Sequence, residues 1–429
     1  MKKNIINIIG ALLVVVSTVN AQVPIPAGPQ NEPIMLKGAT AHLGNGEVIE
    51  NAVIAFDKGK ITMVGTSGDE SGYKVIDVSG KHIYPGFILP NSSMGLEEVS
   101  SVRAMSDVSE RGNMNPNVRS QIAFNTDSEN IPVFRFNGIL LVESRPTGGA
   151  ISGSSSVMQL DAWNWEDATY KSDAAIHVNW PSRQRRNFDF STFTFTFGPN
   201  PNYESSVMNI STMFKDAKSY SSLSNKDRNI KLEAMGGLFD GSKLLMIHSN
   251  SPKGVIEGVK FAQDMGIQKI GVQGGSDLVR IADFLVDNKI PVVVSSIHAT
   301  PSRSDDDYDM PYKMAALLAE KGVSVSLSHS GMLGLSRNLP FYAGTSVAHG
   351  MDKEEALKTI TSNTAKLLGI DDRTGTLEVG KDANLFVSEG DALDMKGNDL
   401  SHAFIQGRQI TLEGRQQWLY KKYSDKYGH

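Results

Sequence analysis

From residue 89 to residue 375 the chain repeats one pattern: a short apolar run, a polar stop, a helical stretch, then another apolar run. The runs lie at 138–143, 244–248, 269–273, 291–295 and 323–327. The stretches 251–265, 278–286 and 351–368 read as helices. In the first of them Val255, Val259 and Ala262 share one face. In the last, Asp352, Glu354 and Glu355 suit the positive end of a helix dipole. Strands that alternate with helices in this way build βα units, so the fold class is α/β.

The two ends of the chain follow another rule. Short alternating strands near 34–41, 52–56 and 60–64 are separated by Gly44-Asn45-Gly46 and Asp57-Lys58-Gly59, which are hairpin signals. The same style returns at 375–387 and 402–410. We pair the two ends into a small discontinuous β-sandwich of residues 22–88 plus 376–413, with 414–429 as a C-terminal tail. The stretch 181–233 is polar with Phe188, Phe190, Phe193, Phe195 and Phe197 interleaved, and reads as an insertion.

Of the 429 residues, 40% are hydrophobic, enough for a large core, and the net charge of -5 argues against nucleic acid or an anionic membrane as main partner. Lys2 and Lys3, the apolar stretch 5–16 and the compact Val19-Asn20-Ala21 mark residues 1–21 as a secretory signal peptide. The apolar stretch falls short of the roughly 20 residues of a spanning helix, so no membrane span is expected after cleavage. Cysteine is absent. That excludes disulfides, a thiolate metal site, a cysteine nucleophile and a lipid on an N-terminal cysteine. The expected address is secreted, most simply periplasmic.

The stretch Tyr84-Pro-Gly-Phe-Ile-Leu-Pro-Asn-Ser-Ser-Met-Gly95 starts with a turn and continues as a buried strand. It resembles the first barrel strand of the amidohydrolase superfamily, where Pro-Gly-Phe-Ile-Asp-x-His-x-His-x-Gly carries two metal-binding histidines. The same resemblance, closest to imidazolonepropionase-like members, continues in Ile247-His248, Asn338-Leu-Pro-Phe341, 355–369 and Gly380-Lys-Asp-Ala-Asn-Leu385. It implies a (β/α)8 TIM-type barrel over 89–375, the insertion covering its mouth, flanked by the composite sandwich. It also implies a zinc-like divalent metal and hydrolysis of carbon–nitrogen bonds in cyclic amides or other non-peptide amides.

The ligand positions implied by the resemblance are altered. The two histidine positions hold Asn91 and Ser93, and the aspartate position holds Leu89. The sixth strand offers Gln273 or Gly274 where the family often has histidine. The eighth offers His329 or Ser330 where it has aspartate. Only His248 matches a ligand position, and no metal, cofactor or catalytic residue is assigned. Further pocket candidates are His298, Arg337 and Arg145. Arg145 precedes the glycine-rich 146–153, which is either a backbone anion cradle or a bend that needs positive φ. Three readings follow: a hydrolase, a non-catalytic ligand-binding barrel, and a metal-free enzyme that uses a histidine with a serine. A small molecule is the expected ligand. A homo- or hetero-oligomer with a metal-bearing amidohydrolase relative is the expected assembly.

Overall fold

A computed structural model describes residues 24–295, 297–301, 305–329 and 331–428. The leader at 1–21 and the candidate Ser330 lie outside the described residues. Five strands open the chain: β1 (Ile34–His42), β2 (Val48–Asp57), β3 (Lys60–Gly65), β4 (Lys74–Asp77) and β5 (His82–Pro85). The expected hairpins form. Between β2 and β3, Lys58 and Gly59 both take positive φ, +47° and +79°, the geometry that matches the twist of paired strands.

The central strands follow: β6 (Phe87–Ser92), β7 (Ile139–Ser144), β8 (Ile151–Gln159), β9 (Thr169–Asn179), β10 (Gln184–Asp189), β11 (Thr194–Pro199), β12 (Leu244–His248), β13 (Ile270–Gly274), β14 (Val292–Val294) and β15 (Val325–Leu327). Eight of them form one sheet in the order β15-β14-β13-β12-β9-β8-β7-β6. It curls into a nearly closed barrel. At its seam Ser328 Oγ donates to the carbonyl of Pro90 at 2.6 Å. Leu327 N–H and Ile88 N–H donate to the carbonyls of Thr359 and Ile360. The backbone at 359–360 thus stands between the first and last strands.

Two expectations are corrected here. The alternation of strand and helix fails between β7 and β9, because β7 pairs β8 and β8 pairs β9 antiparallel. The reason is length. Only residues 145–150 join β7 to β8 and 160–168 join β8 to β9, fewer than the dozen or more that a parallel crossover needs. The single helix read at 351–368 is two, Lys353–Lys358 and Ser362–Leu368. It breaks where its carbonyls serve the seam. Asp352 does cap the first, accepting from the N–H groups of Glu354 and Glu355.

Three last strands, β16 (Leu385–Ser388), β17 (Leu400–Ile405) and β18 (Arg408–Gln409), return to the N-terminal ones. β16 pairs β5 antiparallel, so both chain ends share one eight-stranded sheet. Phe386 ties it to the barrel, stacking on Tyr84 at 5.5 Å and meeting Phe87 edge-on at 4.9 Å.

Candidate functional site

The carboxyl ends of β6, β7, β9, β12 and β13 bring a set of polar side chains together. At its centre is Glu143, the fifth residue of β7 and fully buried. One carboxylate oxygen accepts the N–H of Asn91 at 2.8 Å. The other accepts Ser155 Oγ–H at 2.6 Å and His177 Nε2 at 3.1 Å. His177, on β9, has its Nδ1 2.8 Å from Nε2 of His248, on β12.

The protonation pattern follows from the partners. Burial acts to raise the pKa of Glu143, yet hydrogen bonds from His177, Ser155 and Asn91 hold it below the ordinary carboxylate value. Burial lowers His177, against the opposing pull of Glu143. His248 is pushed well below the ordinary histidine value by burial, then by the charge of Arg145. An ionised Glu143 with a neutral His177 requires the proton on Nε2 of His177. Its Nδ1 then accepts from Nε2–H of His248, which leaves Nδ1 of His248 as the one basic nitrogen of the chain.

Two of these residues went unrecognised in the sequence. Glu143 closes an expected strand without a role, and His177 was not singled out. A signal existed: Ala174-Ala-Ile-His-Val-Asn179 runs from apolar residues into a histidine, as Leu244-Leu-Met-Ile-His248 does.

Two cavities open beside this chain. One, of about 510 Å³, is lined by Arg145, Trp180, His248, Gln273, Ser295 and neighbours. The other, of about 330 Å³, is lined by Asn91, Ser93, Arg145, His329 and neighbours. Arg145 borders both. Burial lowers its pKa to about 10, with Glu143 opposing, so it is still a cation at neutral pH. Its Nη1 donates to Pro146 O at 3.2 Å, but its Nε has no partner. Asn91 Oδ1, Gln273 Oε1 and His329 Nε2 are also buried without a partner. Asn91 itself takes φ +57°, a left-handed conformation that asparagine tolerates.

The other candidates separate. Ser93 is half-buried on the smaller cavity. His329 joins it there, its Nδ1 3.0 Å from the Tyr342 hydroxyl. His298 belongs to a different groove with Tyr312, Thr345 and His349, its Nε2 2.7 Å from Thr345 Oγ1. Arg337 is exposed, bonds Gly334 O and lines neither cavity. The glycine-rich segment is not an open cradle. The N–H groups of Thr147, Ala150, Ile151 and Ser154 donate to carbonyls of residues 108–118. A Cβ on Gly149 (φ +65°) would stand 2.8 Å from Asn113 O. The bend reading of this segment therefore holds.

A zinc-like ion needs several deprotonated nitrogen or oxygen donors around one point. Here both nitrogens of His177 and both oxygens of Glu143 are engaged with protein. Among the described residues no group of three His, Cys, Asp or Glu side chains is placed to hold a metal. The donors present do not fit such an ion, and no step is derived through one.

No curated protein matches the sequence. The amidohydrolase family profile matches residues 313–410. Among solved structures, an amidohydrolase from Thermotoga maritima MSB8 superposes with a TM-score of 0.78 at 22% identity, covering 88% of this chain and 99% of its own. A Xaa-Pro dipeptidase with bound methionine in its active site gives 0.53 at 15% identity, over 88% of this chain and 99% of its own. Molinate hydrolase gives 0.51 at 16% identity, over 89% and 95%. By sequence the likeness to the amidohydrolase family is confined to residues 313–410, and the fold resembles that of an amidohydrolase of known structure.

Proposed function

We propose that this is a secreted, periplasmic amidohydrolase-fold protein that binds a small compound bearing both a carboxylate and an amide N–H, without metal-dependent hydrolysis. The observation that carries the reading is the set of unpartnered buried atoms around Arg145. Its Nε–H belongs to a planar fork suited to a carboxylate. Gln273 Oε1, on the larger cavity with Arg145, is an acceptor without a donor, which an amide N–H of the same compound would satisfy. N-acyl amino acids and dipeptides have this pairing, and a dipeptidase is among the structural neighbours. The Glu143–His177–His248 chain holds His248 in one tautomer against the larger cavity, beside Gln273.

The second reading is a hydrolase acting on carbon–nitrogen bonds. The family match and the hydrolase neighbours favour it. Three measurements on purified mature protein separate the two: metal content, calorimetric titration with a panel of N-acyl amino acids and dipeptides, and hydrolysis of the same panel with and without added zinc. Binding that is lost in Arg145→Met, with metal well below one per chain and no turnover, supports the proposal. One zinc per chain, lost in His248→Ala together with cleavage of the amide, overturns it.

A further inference from the structure

The hairpin β10–β11 carries five phenylalanines that the barrel does not cover. Phe188 is 37% exposed, Phe190 80%, Phe193 78%, Phe195 52% and Phe197 69%. In the antiparallel register Phe188 faces Phe195 and Arg186 faces Phe197. Strand alternation therefore puts Arg186, Phe188, Phe195 and Phe197 on one face, and Arg185, Asn187, Asp189, Thr194 and Thr196 on the other. Phe190 and Phe193 continue the aromatic face at the tip, both edge-on to Phe188. The two strands pair only with each other. A lone two-stranded hairpin is marginal in water, and an exposed apolar patch of this extent marks an interaction surface.

We propose that this face docks on the same face of a second copy of the chain. The area fits. Five rings at these exposures present roughly 600 Å², near the roughly 800 Å² per partner of a stable interface. Arg186 lies on the aromatic face itself, so entry into hydrocarbon would bury a cation that the rings of a second copy can receive. Asp189 sits at the tip, its carboxyl held low by hydrogen bonds from the Ser191 hydroxyl and N–H, and the whole chain carries a net charge of -5. An anion beside Phe190 opposes entry into hydrocarbon. Two-fold packing is self-complementary here. The base of one hairpin lies over the tip of the other, so each Arg186 meets the tip phenylalanines of the second copy, cation against ring face. Arg186 already stacks on Phe195 within its own hairpin at 3.4 Å, and the residue is exposed. The base is anchored for the purpose. Arg183 pairs with Glu257 at 2.8 Å, and the Tyr203 hydroxyl donates to the same carboxylate at 2.5 Å. Trp180, close ahead of β10, lines the larger cavity, so the contact would lie beside the barrel mouth.

The test is sedimentation velocity on the mature protein at micromolar concentration. The wild type should run as a dimer. A variant with Phe190→Ser, Phe193→Ser and Phe197→Ser should run as a monomer with unchanged circular dichroism and melting temperature. The natural chain has no cysteine, so single-cysteine variants report cleanly. Phe195→Cys should cross-link two chains under mild oxidation and Thr196→Cys, on the opposite face, should not. A monomeric wild type, a dimer that survives the triple substitution, equal cross-linking by both cysteines, or flotation of the wild type with phosphatidylglycerol vesicles would each overturn the proposal. None of these outcomes depends on whether the barrel binds an amide.

Discussion

The interior of the barrel mouth and its rim use polar atoms in opposite ways. Inside, Glu143 receives three donors, and His177 is bonded through both nitrogens. At the rim, Arg145, Gln273, Asn91 and His329 each leave a buried polar atom without a partner. A buried polar group that is fully paired stabilises the fold. One that is unpaired destabilises it until something else supplies the partner. The interior is thus complete within the chain, whereas the rim leaves polar atoms that the proposed ligand would pair.

The sharpest way to break this comparison is to remove the interior anion. Glu143→Ala leaves the Asn91 N–H, the Ser155 hydroxyl and the His177 ring without their acceptor, and should cost about 3–5 kcal/mol in urea unfolding. A loss below about 1 kcal/mol would mean that the buried carboxylate does not organise the mouth. The rim should respond in the opposite sense. Arg145→Met removes a desolvated cation with few partners, so folding stability should hold or rise. Affinity for a carboxylate-bearing amide should fall by about 1.5–3 kcal/mol, the worth of charged hydrogen bonds. A calorimetric titration paired with a melting curve reads both.

The most gradual effect is the pH response of the interior. His248 and His177 have folded pKa values below the ordinary 6.5. Below pH 6.5 the unfolded chain therefore takes up protons that the folded one does not. Stability should be level above that pH and fall as pH drops beneath it, by up to about 1.4 kcal/mol per pH unit for each histidine. Glu143 works at lower pH. Its lowered carboxyl value gives stability that is present above the unfolded carboxylate value and lost as pH falls through the folded one. Melting curves from pH 5 to 8 should show a shallower slope in His248→Gln than in the wild type. Equal slopes would show that His248 is not held neutral in the folded chain.

The barrel was legible in the sequence wherever a strand or helix carried its own signal. The run from Phe87 was recognisable, as were the β12 strand ending at His248 and the Asp352 cap. What escaped notice depends on neighbours far away in the chain. The apolar run into His177 marks a strand end, but the residue acquires its role only because β9 lies beside β12 and its ring reaches Glu143 on β7. The antiparallel path through β8 could have been read from connection lengths, since the segments between β7 and β9 are too short for crossover helices. The interruption at Thr359–Thr361 is only weakly marked, by three β-branched residues inside a helical period, and the backbone leaves the helix there because two strands need its carbonyls. His298 follows a strand end and Arg337 lies in the run that resembles imidazolonepropionase-like members, and side-chain direction takes both elsewhere.

The seam between β15 and β6 gives the cylinder a built-in line of weakness. Elsewhere each stave is held to the next by a ladder of backbone pairs. Here it is bridged by a connector from the family-matched segment, through hydrogen bonds from two backbone N–H groups and one serine hydroxyl. Breathing motions of the wall should concentrate along that line, so the stretch of chain most like known amidohydrolases also governs how readily the wall parts.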